Sequence, residues 1–384
     1  MKIDYIYRVI AEAVKDAAQY FPVITITGPR QSGKSTLLRH LLPSTPYVSM
    51  ENPDIRLNAI QDPNGFLAAF TDGVIIDEIQ RTPDLLSYIQ GIVDEYPDRK
   101  FYLTGSSQFS LLKNVTQSLA GRSAVFELLP LSLHEIASLD SEKNVDELLY
   151  DGFYPGVWSG KNIPRLLYPN YIKTYIERDV RDLLAIRDLD LFQRFIRLCA
   201  ARIGSVFNAS ELSNELGVAV NTVNSWLSVL QASYIIYLLP PFYTNTRKRL
   251  TKSPKIYFTD SGVASYLLGI DSPKTMNLDK MRGHLFENMV IMNFLKDRYN
   301  RGLNGGLYFY RDSNGNEVDL LVKEGSKYSC YEIKSSATFH PDFTKGIRNF
   351  EHNYPELVLD KAVLYTGADM PEYNGIKIKN FRAI

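Results

Sequence analysis

The stretch GPRQSGKS, residues 28–35, follows the apolar run PVITIT and leads into the helix-like run KSTLLRHLL. Its two glycines, separated by four residues, allow backbone N–H groups to surround a phosphate, while a lysine reaches the terminal phosphates and a serine hydroxyl meets Mg²⁺. A strand, this loop and a helix occur in the order that directs the positive end of the helix at the anion. We predict that nucleotide contacts come from Gly28, Pro29, Arg30, Gln31, Ser32, Gly33, Lys34, Ser35 and Thr36.

An acidic pair follows the apolar run that begins at Gly73. The segment GVIIDEIQ, residues 73–80, reads as a buried parallel strand that releases Asp77 and Glu78 at its carboxyl end, where ligands of such sheets collect. We expect Asp77, with Ser35, to hold Mg²⁺ and Glu78 to orient and deprotonate the attacking water. The upstream phosphate loop gives this otherwise common pattern its weight.

Three further residues are candidates for contacts with the nucleotide. Thr104 and Ser106 end the predicted strand RKFYLTGSS, where their hydroxyl groups are placed to sense the terminal phosphate; helix capping and turn formation are the alternative roles. Arg122 follows the Gly121 stop of a predicted helix and is a candidate for stabilising transition-state charge, in its own chain or in a neighbouring subunit. The alternative for Arg122 is an ordinary surface arginine.

Length, charge and cysteine content limit the class of protein. The 384 residues suffice for two or three domains, and 43 basic side chains balance 43 acidic ones, so the whole molecule has no basic field for nucleic acid. Residues 4–20 read as an amphipathic helix that leads into the first strand. This N-terminal stretch is charged and resembles no signal peptide, and no run approaches 18 apolar residues. Two cysteines are too few for a disulfide framework. We expect a cytoplasmic protein with no membrane partner.

The combined motifs resemble those of AAA-type P-loop ATPases. The phosphate loop, the strand ending in Asp77 and Glu78, and the segment Leu-Thr-Gly-Ser at 103–106 carry this likeness. The phrases LAGR (119–122), FYPG (153–156) and YIERDV (175–180) are similar to a prokaryotic branch of predicted ATPases with a C-terminal domain of unknown function. The resemblance implies ATP and Mg²⁺ as cofactors. The second sensor arginine of the usual AAA lid is not found, which leaves assembly into an oligomer open.

The middle of the chain predicts a lid followed by a winged helix. Residues 136–190 read as a helical lid or connector, in which Arg178 and Arg181 either meet phosphate or form ion pairs on the helix surface. Residues 191–275 follow the plan helix, turn, helix, hairpin. The expected recognition helix carries no lysine or arginine, whereas the hairpin tip is basic. Predicted nucleic-acid contacts are Arg247, Lys248, Arg249 and Lys252; the alternative is a rigid connector with a solvated basic turn.

Residues 276–384 place acidic residues and a lysine on consecutive elements. Glu287 lies on a predicted helix, Asp319 begins a strand, and Glu332 and Lys334 share one face of the next strand. This set resembles the restriction-endonuclease-like nuclease core, which implies that Asp319 and Glu332 bind Mg²⁺ and that the lysine stabilises anionic charge. The alternative is a degenerate domain that keeps the fold for contacts only.

We therefore expect an α/β chain with four parts. The first is a P-loop NTPase domain (1–135), a parallel sheet with flanking helices, and the second is a helical lid or connector (136–190). The third is a winged helix (191–275), and the last is a small α/β endonuclease-like domain (276–384). The predicted function is Mg²⁺-dependent ATP hydrolysis coupled to an effector acting on DNA; the alternative is a nucleotide-gated switch that binds a protein partner and cuts nothing.

Overall fold

The computed structural model describes residues 3–106, 115, 118–139, 143–175, 188–243 and 252–384. Its first part is a five-stranded, wholly parallel sheet in the order β2-β3-β4-β1-β5. The strands are β1 (Val23–Thr27), β2 (Tyr47–Ser49), β3 (Gly73–Asp77), β4 (Lys100–Gly105) and β5 (Ser123–Glu127). The prediction of an α/β fold built on a parallel sheet is confirmed.

Strand register brings the sequence motifs to one edge of this sheet. Thr27, the last residue of β1, lies between Gly105 on β4 and Glu127 on β5, while Asp77 ends β3 beside Ser49. The fully buried apolar residues of β1 and β3 hold the strands between two layers of helices. The phosphate loop, the acidic pair and the polar end of β4 therefore meet at the carboxyl edge, where α/β folds bind ligands.

Helices cover both faces of the sheet and continue into the predicted lid. Their bounds in the described part are α1 (Ile10–Tyr20), α2 (Lys34–Leu41), α3 (Pro53–Gln61), α4 (Pro63–Ala68), α5 (Leu85–Glu95), α6 (Leu133–Ile136), α7 (Val145–Asp151), α8 (Pro155–Trp158) and α9 (Pro164–Tyr175), with a short 3-10 turn at Ile79–Arg81. One expectation needs correction: the helix predicted over 4–20 begins only at Ile10, because residues 4–8 run as irregular chain past the phosphate loop.

The described residues of the next part form three helices, then two strands and two further helices. Its elements are α10 (Leu189–Ala200), α11 (Ala209–Leu216), α12 (Val220–Ala232), β6 (Ile236–Leu239) and β7 (Lys255–Phe258), followed by α13 (Ser261–Leu267) and α14 (Pro273–Leu278). Strands β6 and β7 pair antiparallel. Asn208 caps α11 by accepting hydrogen bonds from two backbone N–H groups, and Gly217 ends it in the left-handed conformation that glycine favours. We call residues 188–278 the helix–hairpin module.

The last part is a six-stranded mixed sheet. Its order is β12-β13-β11-β10-β9-β8, with β8, β9 and β10 antiparallel and β11 parallel to both β10 and β13. The elements are α15 (Arg282–Asn300), β8 (Leu307–Arg311), β9 (Glu317–Glu324), β10 (Lys327–Lys334), α16 (Lys345–Asn353), β11 (Val358–Tyr365), β12 (Met370–Tyr373) and β13 (Ile376–Asn380), with 3-10 turns at Pro341–Thr344, Pro355–Leu357 and Phe381–Ala383. We call residues 282–383 the C-terminal domain.

The parts are packed together rather than strung on linkers. The largest apolar core is continuous from the lid through the helix–hairpin module to the buried face of α15. Polar contacts join the same parts: the Thr27 and Tyr234 hydroxyl groups lie 2.6 Å apart, and the Phe242 N–H donates to the Phe309 carbonyl at 2.6 Å. No helix among the described residues is long and apolar enough to cross a bilayer.

Candidate functional site

The phosphate loop is shaped by backbone conformations that favour glycine. Gly28 and Gly33 have φ values of 146° and 96°, and an added Cβ at Gly28 would collide with the Leu128 carbonyl oxygen. The Lys34 ammonium group lies under the loop and donates to the carbonyl oxygens of Gly28 and Pro29 at 2.9 and 2.8 Å. The two hydrogen bonds therefore hold the Lys34 ammonium group within the loop that is predicted to bind phosphate.

Asp77 collects three hydroxyl groups. Its Oδ1 accepts hydrogen bonds from Ser35 Oγ at 2.6 Å and from Thr104 Oγ1 in a short contact, and its Oδ2 accepts from Tyr47 OH at 2.8 Å. Burial and then the Asp77 carboxylate raise the pKa of Tyr47 to about 12, so the phenol stays a donor. The structure thus unites the predicted Mg²⁺ residues Ser35 and Asp77 and places Thr104 on Asp77.

Glu78 occupies a strained position beside this cluster. Its φ of 55° lies in the left-handed region, which is costly for a residue with a side chain; such residues cluster at functional sites. Its Oε2 accepts from Ser106 Oγ at 3.2 Å and from Gln80 Nε2 in a short contact. The carboxylate is held by neutral donors and lines the cavity described next. Its geometry suits a group that orients water.

A cavity of about 560 Å³ opens over the phosphate loop. Its volume lies in the range of small-molecule sites. Residues of the loop share its wall with the N-terminal segment and the lid. The lining comprises Asp4, Tyr5, Ile6, Arg8, Arg30, Gln31, Gly33, Lys34, Ser35, Thr36, Glu51, Glu78, Pro155, Gly156, Ser159, Lys161 and Thr174. The hydroxyl, carboxylate and ammonium groups in and beside this cavity fit a nucleotide with its Mg²⁺ ion, because Mg²⁺ prefers hard oxygen ligands.

A buried ion pair fixes the phosphate loop from behind. Arg8 donates to Glu135 at 3.0 Å and to the carbonyl oxygens of Ser32 and Leu129, each at 2.7 Å. Both side chains are nearly inaccessible to solvent, and Glu135 also accepts from the Val9 N–H at 2.8 Å. Sequence reasoning missed Arg8 because it assigned residues 4–20 to a single helix. Tyr47 and Lys161 were missed as well, and neither lies in a recognisable motif.

Arg122 is not brought to the phosphate loop of its own chain. It directly precedes β5, and its carbonyl accepts from the Val23 N–H at the amino edge of the sheet. Five residues of parallel strand, about 15 Å, separate that edge from the loop. The Arg122 side chain forms an exposed ion pair with Asp94, with one N–O distance of 2.8 Å. The expected role in cis is thereby corrected, since parallel strands put their two ends at opposite edges.

A second polar cluster lies in the C-terminal domain. Lys334 Nζ donates to Asp319 Oδ2 at 2.9 Å and to Glu332 Oε2 at 2.6 Å, and Asp319 also accepts from the Ile333 N–H at 2.8 Å. Glu287 accepts from Tyr257 OH at 2.5 Å and lies 3.5 Å from Lys255 Nζ. The structure therefore brings the predicted acids and lysine into one region, with Lys255 and Tyr257 added by strand β7.

Protonation in this cluster follows from burial and the lysines. Burial raises the pKa of Glu287 to about 6, and burial followed by the Asp319 charge raises the pKa of Glu332 well above its ordinary value. Burial also acts to raise the pKa of Asp319, but Lys334 and Lys255 more than offset this, so its pKa lies below the ordinary value. Asp319 therefore carries the firmest negative charge of the cluster.

The cluster does not fit a divalent metal as it is arranged. Among the described residues no group of three histidine, cysteine or acidic side chains is placed to hold a metal ion. The carboxylates Asp319, Glu332 and Glu287 each face an ammonium group, which occupies oxygen lone pairs that a metal requires. The predicted metal role of Asp319 and Glu332 thus depends on a rearrangement.

The predicted nucleic-acid contacts fall mostly outside the described part of the chain. Arg247, Lys248 and Arg249 belong to the undescribed stretch 244–251, and Arg178 and Arg181 to the stretch 176–187. Lys252 is described and is exposed to solvent. The basic hairpin tip therefore remains a prediction from sequence.

Three sequence families match successive parts of the chain. An AAA domain matches residues 20–137, a domain of unknown function (DUF8612) matches 142–274, and a second domain of unknown function (DUF4143) matches 282–383. The first match covers the parallel sheet and its phosphate loop and supports the predicted P-loop ATPase domain. The other two name no activity.

Similar whole proteins occur in bacteria and archaea. The uncharacterized protein Rv2008c of Mycobacterium tuberculosis is 30% identical over 346 residues, which cover 89% of this chain and 76% of that protein, and Mb2031c of Mycobacterium bovis gives the same figures. MJ1544 of Methanocaldococcus jannaschii is 24% identical over 375 residues, covering 88% and 80%. Among solved structures, the Walker-type ATPase PABY2304 of Pyrococcus abyssi has a TM-score of 0.46 at 16% identity, covering 69% of this chain and 96% of that one.

Proposed function

The chain belongs to the family of these two mycobacterial proteins, and from this premise we propose that it hydrolyses ATP with Mg²⁺ at the loop 28–36, using Glu78 to orient the attacking water. The AAA domain at 20–137 supports ATP binding and hydrolysis. The observation that carries the residue assignment is the cluster around Asp77, in which the Ser35 hydroxyl lies 2.6 Å from the carboxylate. Such a pair is suited to a metal ion beside the phosphates.

Lys34 and Glu78 have different roles in the proposed hydrolysis of ATP. Lys34 exchanges its two loop carbonyl partners for phosphate oxygens, which gives the ammonium group a charged acceptor in place of neutral ones. Mg²⁺, when bound with the nucleotide, neutralises developing charge on the phosphates. Glu78 accepts a hydrogen bond from water and takes its proton, while Ser106 and Gln80 hold the carboxylate in place.

Two substitutions test the assignment. Lys34→Ala removes the phosphate partner and is expected to abolish binding of a fluorescent ATP analogue. Glu78→Gln keeps the side-chain shape and is expected to bind ATP like the wild type while hydrolysis stops. Release of phosphate from ATP, measured for both variants, is the readout. Equal hydrolysis rates in wild type and Glu78→Gln would contradict the role of Glu78 as the base.

We further propose that ATP turnover is coupled to the action of the C-terminal domain on DNA. The convergence of Asp319, Glu332 and Lys334 supports this, as does the order helix, three antiparallel strands, helix, strand of the domain. In this proposal the helix–hairpin module is a winged helix whose basic tip meets the duplex, and Arg122 acts only on a neighbouring copy. The test is cleavage of single-stranded and duplex DNA with Mg²⁺ or Mn²⁺, with and without ATP, by wild type and Asp319→Ala.

A nucleotide-gated switch without nuclease activity is the second candidate. The observation that favours it is the pairing of the cluster carboxylates with lysines, whose ammonium groups occupy oxygen atoms that a metal ion would need. Loss of a robust cleavage in Asp319→Ala would exclude this candidate. Hydrolysis of ATP by a wild type that cuts no DNA under any of these conditions, and whose DNA binding shows no salt dependence, would establish it.

A further inference from the structure

Lys255 is a buried lysine that joins the helix–hairpin module to the C-terminal domain. It is the first residue of β7 in the helix–hairpin module, yet its ammonium group lies among the acids of the C-terminal domain. Its Nζ is 3.5 Å from Glu287 on α15 and forms a short contact with Glu317, the first residue of β9. Only 3% of the residue is exposed to solvent. A lysine so deeply buried is rare unless it is paired.

The carboxylates keep this ammonium group charged. Burial alone would lower the pKa of Lys255, but the charges of Glu287, Asp319 and Glu317 raise it above its ordinary value. The three carboxylates therefore favour the charged form of Lys255. Removing such a group from a buried pair leaves an uncompensated carboxylate, which proteins tolerate poorly.

The cluster as a whole contains its own cations. The carboxylates are Glu287, Glu317, Asp319 and Glu332, and two ammonium groups each contact two of them: Lys255 joins Glu287 and Glu317, and Lys334 joins Asp319 and Glu332. A divalent ion bound to these carboxylates would lie close to the two ammonium groups that contact the same carboxylates. Like charges in a buried setting repel strongly. Lys334 comes from the strand of Glu332 itself, whereas Lys255 is supplied from outside the domain.

We propose that Lys255 is a resident cation of this cluster and that its charge, together with that of Lys334, opposes the binding of divalent metal at Asp319 and Glu332. The inference rests on the proposed action of the C-terminal domain on DNA and names how the action is held in check. Because Lys255 belongs to β7, the helix–hairpin module supplies this charge to the C-terminal domain.

The docking of the hairpin is specific. Asn288 on α15 accepts a hydrogen bond from the Phe258 N–H at 2.7 Å and donates to the Phe258 carbonyl at 2.9 Å. On the other strand side, the backbone of Phe309 in β8 exchanges hydrogen bonds with Phe242 and Pro240. Tyr234, just before β6, contacts Thr27, the residue that precedes Gly28. Strands β6 and β7 are therefore fixed to the C-terminal domain, and Tyr234 also contacts the strand that precedes the phosphate loop.

Binding of Mn²⁺ to the full chain, counted by electron paramagnetic resonance without nucleotide, tests the proposal. All variants carry Asp77→Asn, so that the nucleotide-site carboxylate contributes nothing. Lys255→Gln keeps hydrogen-bonding capacity but removes the charge, and we expect it to bind one Mn²⁺ at least about tenfold more tightly than its parent. Adding Asp319→Asn should abolish the gain. Lys255→Arg retains the charge and should bind Mn²⁺ no better than the parent.

An unchanged Mn²⁺ affinity in folded Lys255→Gln would overturn the proposal. Should that variant not fold, Lys255→Gln with Glu317→Gln removes one charge of each sign and carries the same expectation. The role of Lys255 and the nuclease activity fail separately. Tight Mn²⁺ binding by Lys255→Gln without DNA cleavage supports the role of Lys255 and contradicts the nuclease, whereas cleavage and tight Mn²⁺ binding by the unmodified Lys255 protein contradict the role of Lys255 alone.

Discussion

Asp77 and Asp319 are both nearly buried aspartates on strands of a sheet, but their partners differ in kind. Asp77 accepts from the hydroxyl groups of Ser35, Thr104 and Tyr47, whereas Asp319 accepts from the Lys334 ammonium group and the Ile333 N–H. Neutral hydroxyl groups orient a carboxylate and leave its charge for an incoming cation. Ammonium groups neutralise the charge from within. The charge of Asp77 is therefore available to a cation, whereas the charge of Asp319 is already paired with an ammonium group.

The largest effect is expected where the charge is left for a metal. Asp77→Asn keeps the size of the side chain and its acceptor oxygen but removes the negative charge, so kcat for ATP hydrolysis should fall about 100-fold or more, because stabilisation by a metal ion supplies several kcal/mol and each 1.36 kcal/mol is tenfold in rate. Release of phosphate at saturating ATP and Mg²⁺ is the measurement.

The control for that prediction is an aspartate of the same domain that is exposed to solvent. Asp84 begins the turn before α5 and faces water. Asp84→Asn should hydrolyse ATP at the wild-type rate. A rate in Asp77→Asn within a few-fold of the control would mean that the hydroxyl-bound carboxylate does not serve the reaction, and the contrast with Asp319 would lose its functional meaning.

The second effect concerns stability at the lysine-filled cluster. Lys334→Met removes the cation between Asp319 and Glu332, so two close carboxylates face each other, and the free energy of unfolding should fall by about 2 kcal/mol. This value is below that for a fully buried pair because about a third of the Lys334 side chain is exposed, at 31%. Urea unfolding at pH 7 measures the difference.

A surface ion pair supplies the matched variant for the lysine. Lys377 pairs with Asp360 at 2.7 Å, but both side chains are exposed to solvent. Lys377→Met should therefore leave the urea midpoint almost unchanged, because water and salt screen such pairs. If Lys334→Met unfolds at the same urea concentration as wild type, the C-terminal cluster does not depend on its internal cation, and the distinction drawn between the two aspartates fails.

What the sequence predicts well is what neighbouring residues decide. The loop Gly28–Ser35 is recognised by its spacing within eight residues, and the acids Asp77 and Glu78 directly follow an apolar run, so the sequence alone identifies both as candidates. Alternation within one strand likewise placed Glu332 and Lys334 on a common face. In each case the signal and the geometry share a single element.

What the sequence hides depends on contacts between distant segments. Tyr47 meets Asp77 across 30 residues, Lys255 meets Glu287 across 32, and Arg8 meets Glu135 across 127. Tyr47, Lys255 and Arg8 lie in no motif, because a lone tyrosine, lysine or arginine is equally compatible with a place on the surface. Arg122 shows the same limit: its place after a helix left a role at the nucleotide and an ordinary surface position open, and the direction of β5 puts it at the other edge of the sheet, paired with Asp94.

The smallest effect is expected from Tyr47, a positioning residue that acts through Asp77. Tyr47→Phe removes one hydrogen bond to Oδ2 while the ring keeps its contact with the Arg39 guanidinium group, 5.0 Å above it. Because Tyr47 is partly exposed, we expect the loss of about 1 kcal/mol, which corresponds to an approximately fivefold rise in the Mg²⁺ concentration for half-maximal ATP hydrolysis. Nucleotide affinity without Mg²⁺ and kcat at saturating Mg²⁺ should not change. A purely structural defect would instead shift the Mg²⁺ dependence, the nucleotide affinity and kcat together.

Tyr88→Phe, at an exposed tyrosine of α5, is the control. An identical Mg²⁺ dependence in the two variants would show that two hydroxyl groups suffice to orient Asp77 and that the third is incidental.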